Sequence, residues 1–371
     1  MLDNMDDLTK QNINQKAKEH LLDFIDQITP HFNTFFQSQK DRAVKISPIA
    51  VGMVERYENF IGGKRLRGAL TKLGYDIYGG SETEDILKVA SIIEFIHGFA
   101  LMHDDIYDQD DVRRKNPAMH KQFENVFDEK YAESKRDKEL YGISMATNLG
   151  DIGSYYSNIV LTNTNFPPEL KLKFLKRLSE IVIQTVYGQA MDITFELDNV
   201  PLEERVMRIH EYKTAYYTIS GPLQYGALLA GVDEKDERYL ALEEYGIPVG
   251  IAFQLRDDEL GMFSQQEKFG KPIFSDLRQG KNTLLFSKAF EKANEEQYEL
   301  LYSMHGNSNV TEEDLKKVNQ IIIDTGALEY SKNLSRELVK KGKEQITKIT
   351  DDKKHQDLLD LIADFVITRD K

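Results

Sequence analysis

Cysteine and tryptophan are both missing from the 371-residue sequence. Without cysteine there is no disulfide, no thiolate nucleophile and no zinc–thiolate site, and a reducing cytoplasmic setting fits the composition. Basic residues are outnumbered: 48 Lys and Arg stand against 62 Asp and Glu, a net charge of -14. That balance argues against general binding to nucleic acid or to anionic membranes. Proline occurs only nine times, and the Asn-Gly and Asp-Gly signals of tight hairpins are absent. The opening MLDNMDDLTKQN has no apolar core and does not read as a signal peptide. No apolar run approaches the ~20 residues of a membrane helix, so no membrane span is expected.

What the sequence has in abundance is helical periodicity. Apolar residues recur at three- and four-residue steps in LLDFIDQI, ILKVASIIEFI, KFLKRLSEIVIQTVY, YLALEEYGIPVGIAFQL and LLDLIADFVI. Several of these are apolar on more than one face, as buried helices are. Breaks fall at FIGGK, YGGSETE, KNPAMH, TNFPPEL, DNVPLEE, AGVDEKDE and MHGNSNVTEED, and none of them is a flexible linker. The expectation is an all-α protein: a helical extension over residues 1–45, then one large helical domain over 46–371. The charged piece from Glu124 to Glu139 reads as an exposed helix or connection.

Five aspartates and an Arg-Arg-Lys run crowd into EFIHGFALMHDDIYDQDDVRRKNPAMH, directly after an apolar helix. At 100° per residue, His97, Asp104 and Asp108 fall within about 40° of one another on one face. Asp104 and Asp108 can converge on one cation or a pair. Oxygen donors without cysteine point to Mg²⁺, which takes one or two carboxylates and fills its shell with water and phosphate. FQLRDDELGMF repeats the arrangement with Asp257 and Asp258, Gln254 sharing the face. Two apolar helices that each bury carboxylates require compensating charge, and metal ions supply it.

The bases indicate what such metals would hold. Lys64 and Arg67 follow a Gly-Gly break, Arg113 and Arg114 follow the first aspartates, Lys213 precedes Thr214, and Lys271 and Lys281 flank SDLRQG. Arginine's planar fork suits phosphate oxygens and lysine acts as a point charge. Together with the acidic pairs they describe a pocket for two diphosphates.

At this point the sequence resembles the trans-isoprenyl diphosphate (polyprenyl) synthases. From about Phe60 to the C-terminus it carries, in order, GGKRLR, HDDIYDQDDVRR, NLGD, GQAMD, KTA, FQLRDDELG and GKPIFSDLRQGK. The resemblance implies the isoprenoid synthase fold, a helical bundle around a deep central cavity, paired as a homodimer. It implies that Lys64, Arg67, His97 and Arg114 bind isopentenyl diphosphate. It assigns the allylic diphosphate to Arg113, Lys213, Thr214, Gln254, Lys271 and Lys281. Asp104, Asp108 and Asp257 become ligands of three Mg²⁺ ions, with Asp105, Asp258, Gln189 and Asp192 supporting them through water or hydrogen bonds. Gly150 and Asp151 read as packing and polar satisfaction. The departure is Gly261, which stands where the last aspartate of the second motif is expected. Glycine inside a helix costs roughly 1 kcal/mol against alanine, so a local reason for it is expected.

Product length should depend on the helix before Asp104. Phe99 lies five residues upstream, about 7.5 Å along the axis, and can form a floor beside the small Ala100. One aromatic here, with no insertion in DDIYD, resembles the geranylgeranyl-type members, with farnesyl or longer products the alternatives. Two other classes share features with this reading. A class I terpene cyclase does not need GGKRLR, and a non-catalytic subunit of a heteromeric synthase would lose aspartates that remain here.

Overall fold

The structure, a computed structural model, describes residues 7–198, 200–263 and 275–370. Its residues gather into two compact units, Glu19–Lys171 and Met1–Lys18 with Leu172–Lys371. The elements are helical, as the periodicity requires. Among the described residues the only sheet is one two-stranded pair.

Within Glu19–Lys171, the chain runs from α1 (Asp7–Ala43) through α2 (Pro48–Phe60) and α3 (Leu66–Ile77) to α4 (Thr83–Tyr107). Then come β1 (Val112–Arg113) and β2 (Asn116–Pro117), followed by α5 (Met119–Tyr131) and α6 (Lys138–Thr162). Ser47 caps α2, its Oγ accepting from Ala50 N at 3.1 Å, and Pro48 presets the first turn. α4 is the central helix and packs chiefly on α6 and α3. Its apolar residues are buried on nearly all sides, from Ile86 through Ile96. It is the one described helix long and apolar enough to cross a membrane, and most of its apolar window is buried inside the protein.

The contact of α4 with α6 is set by one ring. Tyr57 donates to the Phe95 carbonyl at 2.8 Å. Its hydroxyl also sits where Cβ atoms on Gly98 and Gly153 would collide with it. Phe36, Phe95 and Tyr156 pack against its ring, and Phe32 and Phe35 extend the cluster by edge-to-face contacts with Phe95 and Tyr156.

Within the second unit, α7 (Pro168–Phe195) is followed by α8 (Glu203–Ile209), which runs into a π-helical segment, His210–Ser220. After α9 (Gly221–Leu229) comes the long α10 (Glu237–Phe263), packed on the π segment and on α15 (Ala327–Lys343). Gly188 of α7 and Gly246 and Gly250 of α10 lie so close to the π segment that a Cβ on any of them would strike its backbone. Shorter helices complete the unit: α11 (Ser275–Gln279), α12 (Leu284–Lys292), α13 (Glu295–Met304), α14 (Glu312–Asp324), α16 (Ile346–Ile349) and α17 (Lys353–Thr368). Capping boxes at Asn294/Gln297 and Thr311/Asp314 start α13 and α14.

A buried lysine ties three of these helices. Lys288 Nζ lies 2.6 Å from Glu203 and 2.6 Å from Glu291, above the Tyr330 ring, whose hydroxyl donates to Glu203 at 2.8 Å. Burial alone would raise the Glu203 carboxyl, but Lys288 and Tyr330 hold it below its usual value. Burial opposes the Lys288 charge, but its two carboxylate partners push it above the ordinary lysine value. The lowered carboxyl contributes stability above the ordinary carboxylate range and loses it as pH falls through its lowered value. The raised amine contributes below the ordinary lysine value and loses it only as pH rises past that value. Both contributions are therefore complete at neutral pH. Glu203→Gln should cost about 1 kcal/mol at pH 7, and the gap to the parent should close as the solution is acidified below the carboxylate range. Denaturant midpoints across pH test this; a gap independent of pH would contradict it.

Candidate active site

The first aspartates sit where α4 ends. The apolar helix carries Asp104 and Asp105 on its last turn, and Asp108 caps it, its N–H bonded to the Asp104 carbonyl at 2.8 Å. Asp104 and Asp108 are partly exposed, whereas Asp105 is fully enclosed, at 0%. A buried carboxylate needs a cation, and Arg113 provides it. Arg113 Nε donates to Asp105 Oδ1 at 2.5 Å, and Nη2 reaches the same oxygen, Asp104 at 3.4 Å and Asp110 at 3.5 Å. Burial opposes the Arg113 charge, but Asp105 and its neighbours outweigh burial and push the guanidinium above its ordinary value. Asp105 thus positions Arg113, a more specific part than the general support expected of it.

Arg113 belongs to the β1–β2 hairpin, which the turn signals did not forecast. Arg113 pairs with Asn116, leaving Arg114 and Lys115 as a two-residue turn with φ of 52° and 67°. This geometry normally selects Asn-Gly, and non-glycine residues held there signal strain. The turn points Arg114 back at the Gly-Gly break. Its Nη1 donates to the Phe60 carbonyl at 3.2 Å, and a Cβ on Gly63 would lie 3.0 Å from Nη2. The two glycines let the backbone lie against the guanidinium, and Gly63 itself has φ of 97°.

Arg67 and His97, grouped in the sequence only by the family resemblance, lie together, with Arg67 Nη1 3.5 Å from His97 Nε2. Burial, then Arg67, Arg114 and Arg113, push His97 well below its ordinary value, so it is neutral near pH 7. Arginine only donates, so His97 Nε2 accepts and its proton sits on Nδ1. Lys64 is exposed at the start of α3.

Glu94 was missed by the sequence reading. It is 4% exposed, one turn before His97, and its Oε1 accepts from Gly68 N at 3.1 Å. An acid inside the otherwise apolar IIEFI was the available signal.

Phe99 is half-buried and edge-on to His103, ring centroids 4.7 Å apart; Ala100 beside it is also half-buried. His103 fills the space that a Cβ on Gly150 would need and lies 3.5 Å from Asp151. Gly150 and Asp151 therefore serve packing and polar pairing, as expected.

In the second unit the acids are paired as well. Lys213 Nζ lies 2.6 Å from Asp192. Thr214 Oγ1 donates to Gln254 Oε1 at 2.9 Å, and Gln254 Nε2 donates to Asp258 at 2.8 Å. Asp258 is buried, with His210 Nε2 3.1 Å away. Gln189 lies one turn before Asp192 on α7, its Nε2 buried and unpartnered among the described residues. Asp257 keeps partial exposure and pairs with Arg369 Nη2 at 2.6 Å. Arg369 is buried beneath the Phe253 ring, and no feature of TRDK marks it in the sequence. The Lys281 backbone is fixed, its N–H bonding the Asp276 carbonyl and its own carbonyl lying 3.2 Å from His305 Nε2. Lys271 lies outside the described residues.

Gly261 has its local reason. A Cβ there would run into Asp276 Oδ2, so another protein carboxylate occupies the space next to position 261. An aspartate at 261 would face a like charge.

The donors fit magnesium. Among the described residues no group of three or more His, Cys, Asp or Glu gathers as a metal site. Paired, partly exposed carboxylates at one-turn spacing match the sparse protein ligation that Mg²⁺ accepts.

Comparison with known proteins agrees with this chemistry. The family model for polyprenyl synthetase matches residues 53–322. A geranylgeranyl diphosphate synthase of Methanosarcina mazei is 33% identical over 85% of this chain and 88% of its own. A geranylfarnesyl diphosphate synthase of Aeropyrum pernix is 32% identical over 84% and 91%. The crystal structure of geranylgeranyl pyrophosphate synthase from Corynebacterium glutamicum, complexed with isoprenyl diphosphate and magnesium, superposes with a TM-score of 0.87. It is 27% identical and covers 95% of this chain and 99% of that one. The chain belongs to the polyprenyl synthetase family of prenyl-transferring enzymes.

Proposed function

We propose that the enzyme condenses isopentenyl diphosphate with an allylic diphosphate and that its main product is the twenty-carbon geranylgeranyl diphosphate. The observation that carries the reading is the end of α4, where Asp104 and Asp108 stand one turn apart beside a buried Asp105–Arg113 pair. Residues 46–371 form the catalytic part and residues 1–45 a helical extension. Lys64, Arg67, His97 and Arg114 bind isopentenyl diphosphate. Arg113, Lys213, Thr214, Gln254, Lys271 and Lys281 bind the allylic diphosphate. Asp104, Asp108 and Asp257 are direct ligands of magnesium, three ions in all, supported by Asp105, Asp258, Gln189 and Asp192. Bound magnesium neutralises the charge that grows on the departing diphosphate.

The chain's own residues do the rest. Breaking the allylic C–O bond sends its electron pair to the diphosphate, whose oxygens Arg113 and Lys213 meet with fixed positive charge. Asp105 and Asp192 hold those two cations in place before substrate arrives. The double bond of isopentenyl diphosphate then attacks the allylic carbon, and Arg67, Arg114 and Lys64 orient it. Neutral His97 offers a hydrogen bond without adding charge. One proton then passes to the departing diphosphate, and its C–H electron pair forms the new double bond. The apolar residues of α4 keep water from the allylic cation.

Product length is assigned to Phe99 as the floor, with Ala100 leaving room beside it. Phe95, one turn earlier on the same face, is fully buried in the aromatic cluster around Tyr57, which supports a second limit below the first. Phe99→Ala should lengthen the product modestly and Ala100→Phe should shorten it toward fifteen carbons. Chromatography of the dephosphorylated products from labelled isopentenyl diphosphate and each allylic primer reads this directly. An unchanged distribution in Phe99→Ala would remove the basis for the length assignment.

A homodimer is supported by α7, where Ile183, Val186, Tyr187 and Ile193 are exposed at helical spacing. Such an apolar stripe normally meets a partner. Ile183→Glu with Tyr187→Glu should convert a dimer of the parent to a monomer in light scattering. A parent that is monomeric at micromolar concentration would contradict this assignment.

A further inference from the structure

The segment that would receive isopentenyl diphosphate has a carboxylate beneath it to which no role has been given. Glu94 points from α4 into a small crevice lined by Phe60, Ile61, Gly62, His97 and Arg114. It is the only acid there. Its Oε1 takes the N–H of Gly68, on the first turn of α3 directly after the Gly-Gly break. Burial outweighs the opposing pull of Arg65, Arg67, the Gly68 N–H and Arg114 and leaves its carboxyl above the ordinary value.

Arg65 adds a second observation. It stands at the N-cap of α3 in the left-handed region, with φ of 52°, a conformation a non-glycine residue holds only when its surroundings impose it. Its guanidinium lies over the Phe32 ring of α1, 4.1 Å from the centroid. Its Nη1 is buried with no hydrogen-bond partner among the described residues. A cation–π contact of this kind fixes the guanidinium plane without using its donors.

We propose that Glu94 is a positioning residue of the isopentenyl diphosphate subsite. Its buried carboxylate pins the Gly62–Gly68 segment through the Gly68 N–H and gathers Arg65, Arg67 and Arg114 before substrate arrives. Phe32 of α1 is the surface that holds Arg65, so the N-terminal helix is part of the subsite's scaffold. Arg114 lines the same crevice as the carboxylate and Arg67 reaches His97 at its edge, so positive charge outnumbers the one acid there and is available to a diphosphate. The carboxylate supplies the orientation that mutual repulsion among the arginines would otherwise destroy. This inference rests on the proposed function of the same site.

The sign of the effect makes the test decisive. Removing a negative charge beside an anion site strengthens anion binding by simple Coulomb attraction. Weaker binding can therefore arise only from lost positioning. Glu94→Gln keeps the side-chain size and an acceptor for Gly68 N–H. In the full-length enzyme it should raise both the calorimetric Kd and the KM for isopentenyl diphosphate about tenfold or more, a loss on the scale of one charged hydrogen bond. The KM for the allylic primer should stay within about twofold by the additivity of separate sites, and Glu94→Asp should recover part of the loss. Arg65→Gln, which leaves Glu94 in place, should give the same selective rise. If Glu94→Gln binds isopentenyl diphosphate as well as or better than the parent, or if both KM values rise together, the inference fails. A parent enzyme that binds no isopentenyl diphosphate would overturn the functional reading, and this inference with it.

Discussion

A carboxylate buried at the end of an apolar helix needs a cation, and the pair of Asp105 and Arg113 is the contact on which the first half of the site depends. With Asp105 completely enclosed, the ion pair anchors the β1–β2 hairpin, and the hairpin in turn aims Arg114. Asp104 and Asp108 are left partly exposed on the same turn, where the proposed metal ions would meet them. The second unit follows a similar rule with different partners: Lys213 for Asp192 and Arg369 for Asp257, while Asp258 accepts from the Gln254 amide. Each of these acids already has a protein partner. On the proposed reading, the arrival of metal and diphosphate exchanges these partners without creating bare charge.

The second constraint is close approach of backbone. Gly62 and Gly63 admit the Arg114 guanidinium, and Gly188, Gly246 and Gly250 admit the π segment that carries Lys213 and Thr214. A π turn is uncommon and is retained mostly at functional positions. Here it presents Thr214 to Gln254 and Lys213 to Asp192, with α7 and α10 against its backbone. Strain is confined to a few points: Arg65, Gln109, Arg114 and Lys115 are the non-glycine residues with positive φ among those described. Two of the four are bases of the proposed isopentenyl diphosphate site or its scaffold, Arg114 and Arg65. Strain of this kind, of order 1–3 kcal/mol per residue, persists only where surrounding contacts over-determine it.

Much of this was legible in the sequence. Apolar periodicity gave the helices, and the breaks at YGGSETE, TNFPPEL, DNVPLEE and AGVDEKDE fall between α3 and α4, α6 and α7, α7 and α8, and α9 and α10. The one-turn spacing of Asp104 and Asp108 follows from residue types at helical intervals, whereas the meeting of Arg67 with His97, on different helices, was expected only from the family resemblance. The hairpin was not legible, because its turn residues are Arg and Lys and the strain that shapes them has no compositional signature. Glu94 was hidden by the assumption that an acid in a helix faces solvent. Asp276 beside Gly261, and Arg369 beside Asp257, are encounters of distant segments that no local pattern announces.

The central claim is that the carboxylates at the end of α4 act on the departing diphosphate and not on the fold. Its most direct measurement is pyrophosphate release by the purified enzyme and by Asp104→Ala and Asp108→Ala, with melting temperatures recorded alongside. The parent should release pyrophosphate only when an allylic diphosphate, isopentenyl diphosphate and Mg²⁺ are all present. Each variant should lose several powers of ten in rate while melting within a few degrees of the parent. Near-parental rates in either variant at saturating Mg²⁺, or release from the parent that does not need isopentenyl diphosphate, would contradict the account.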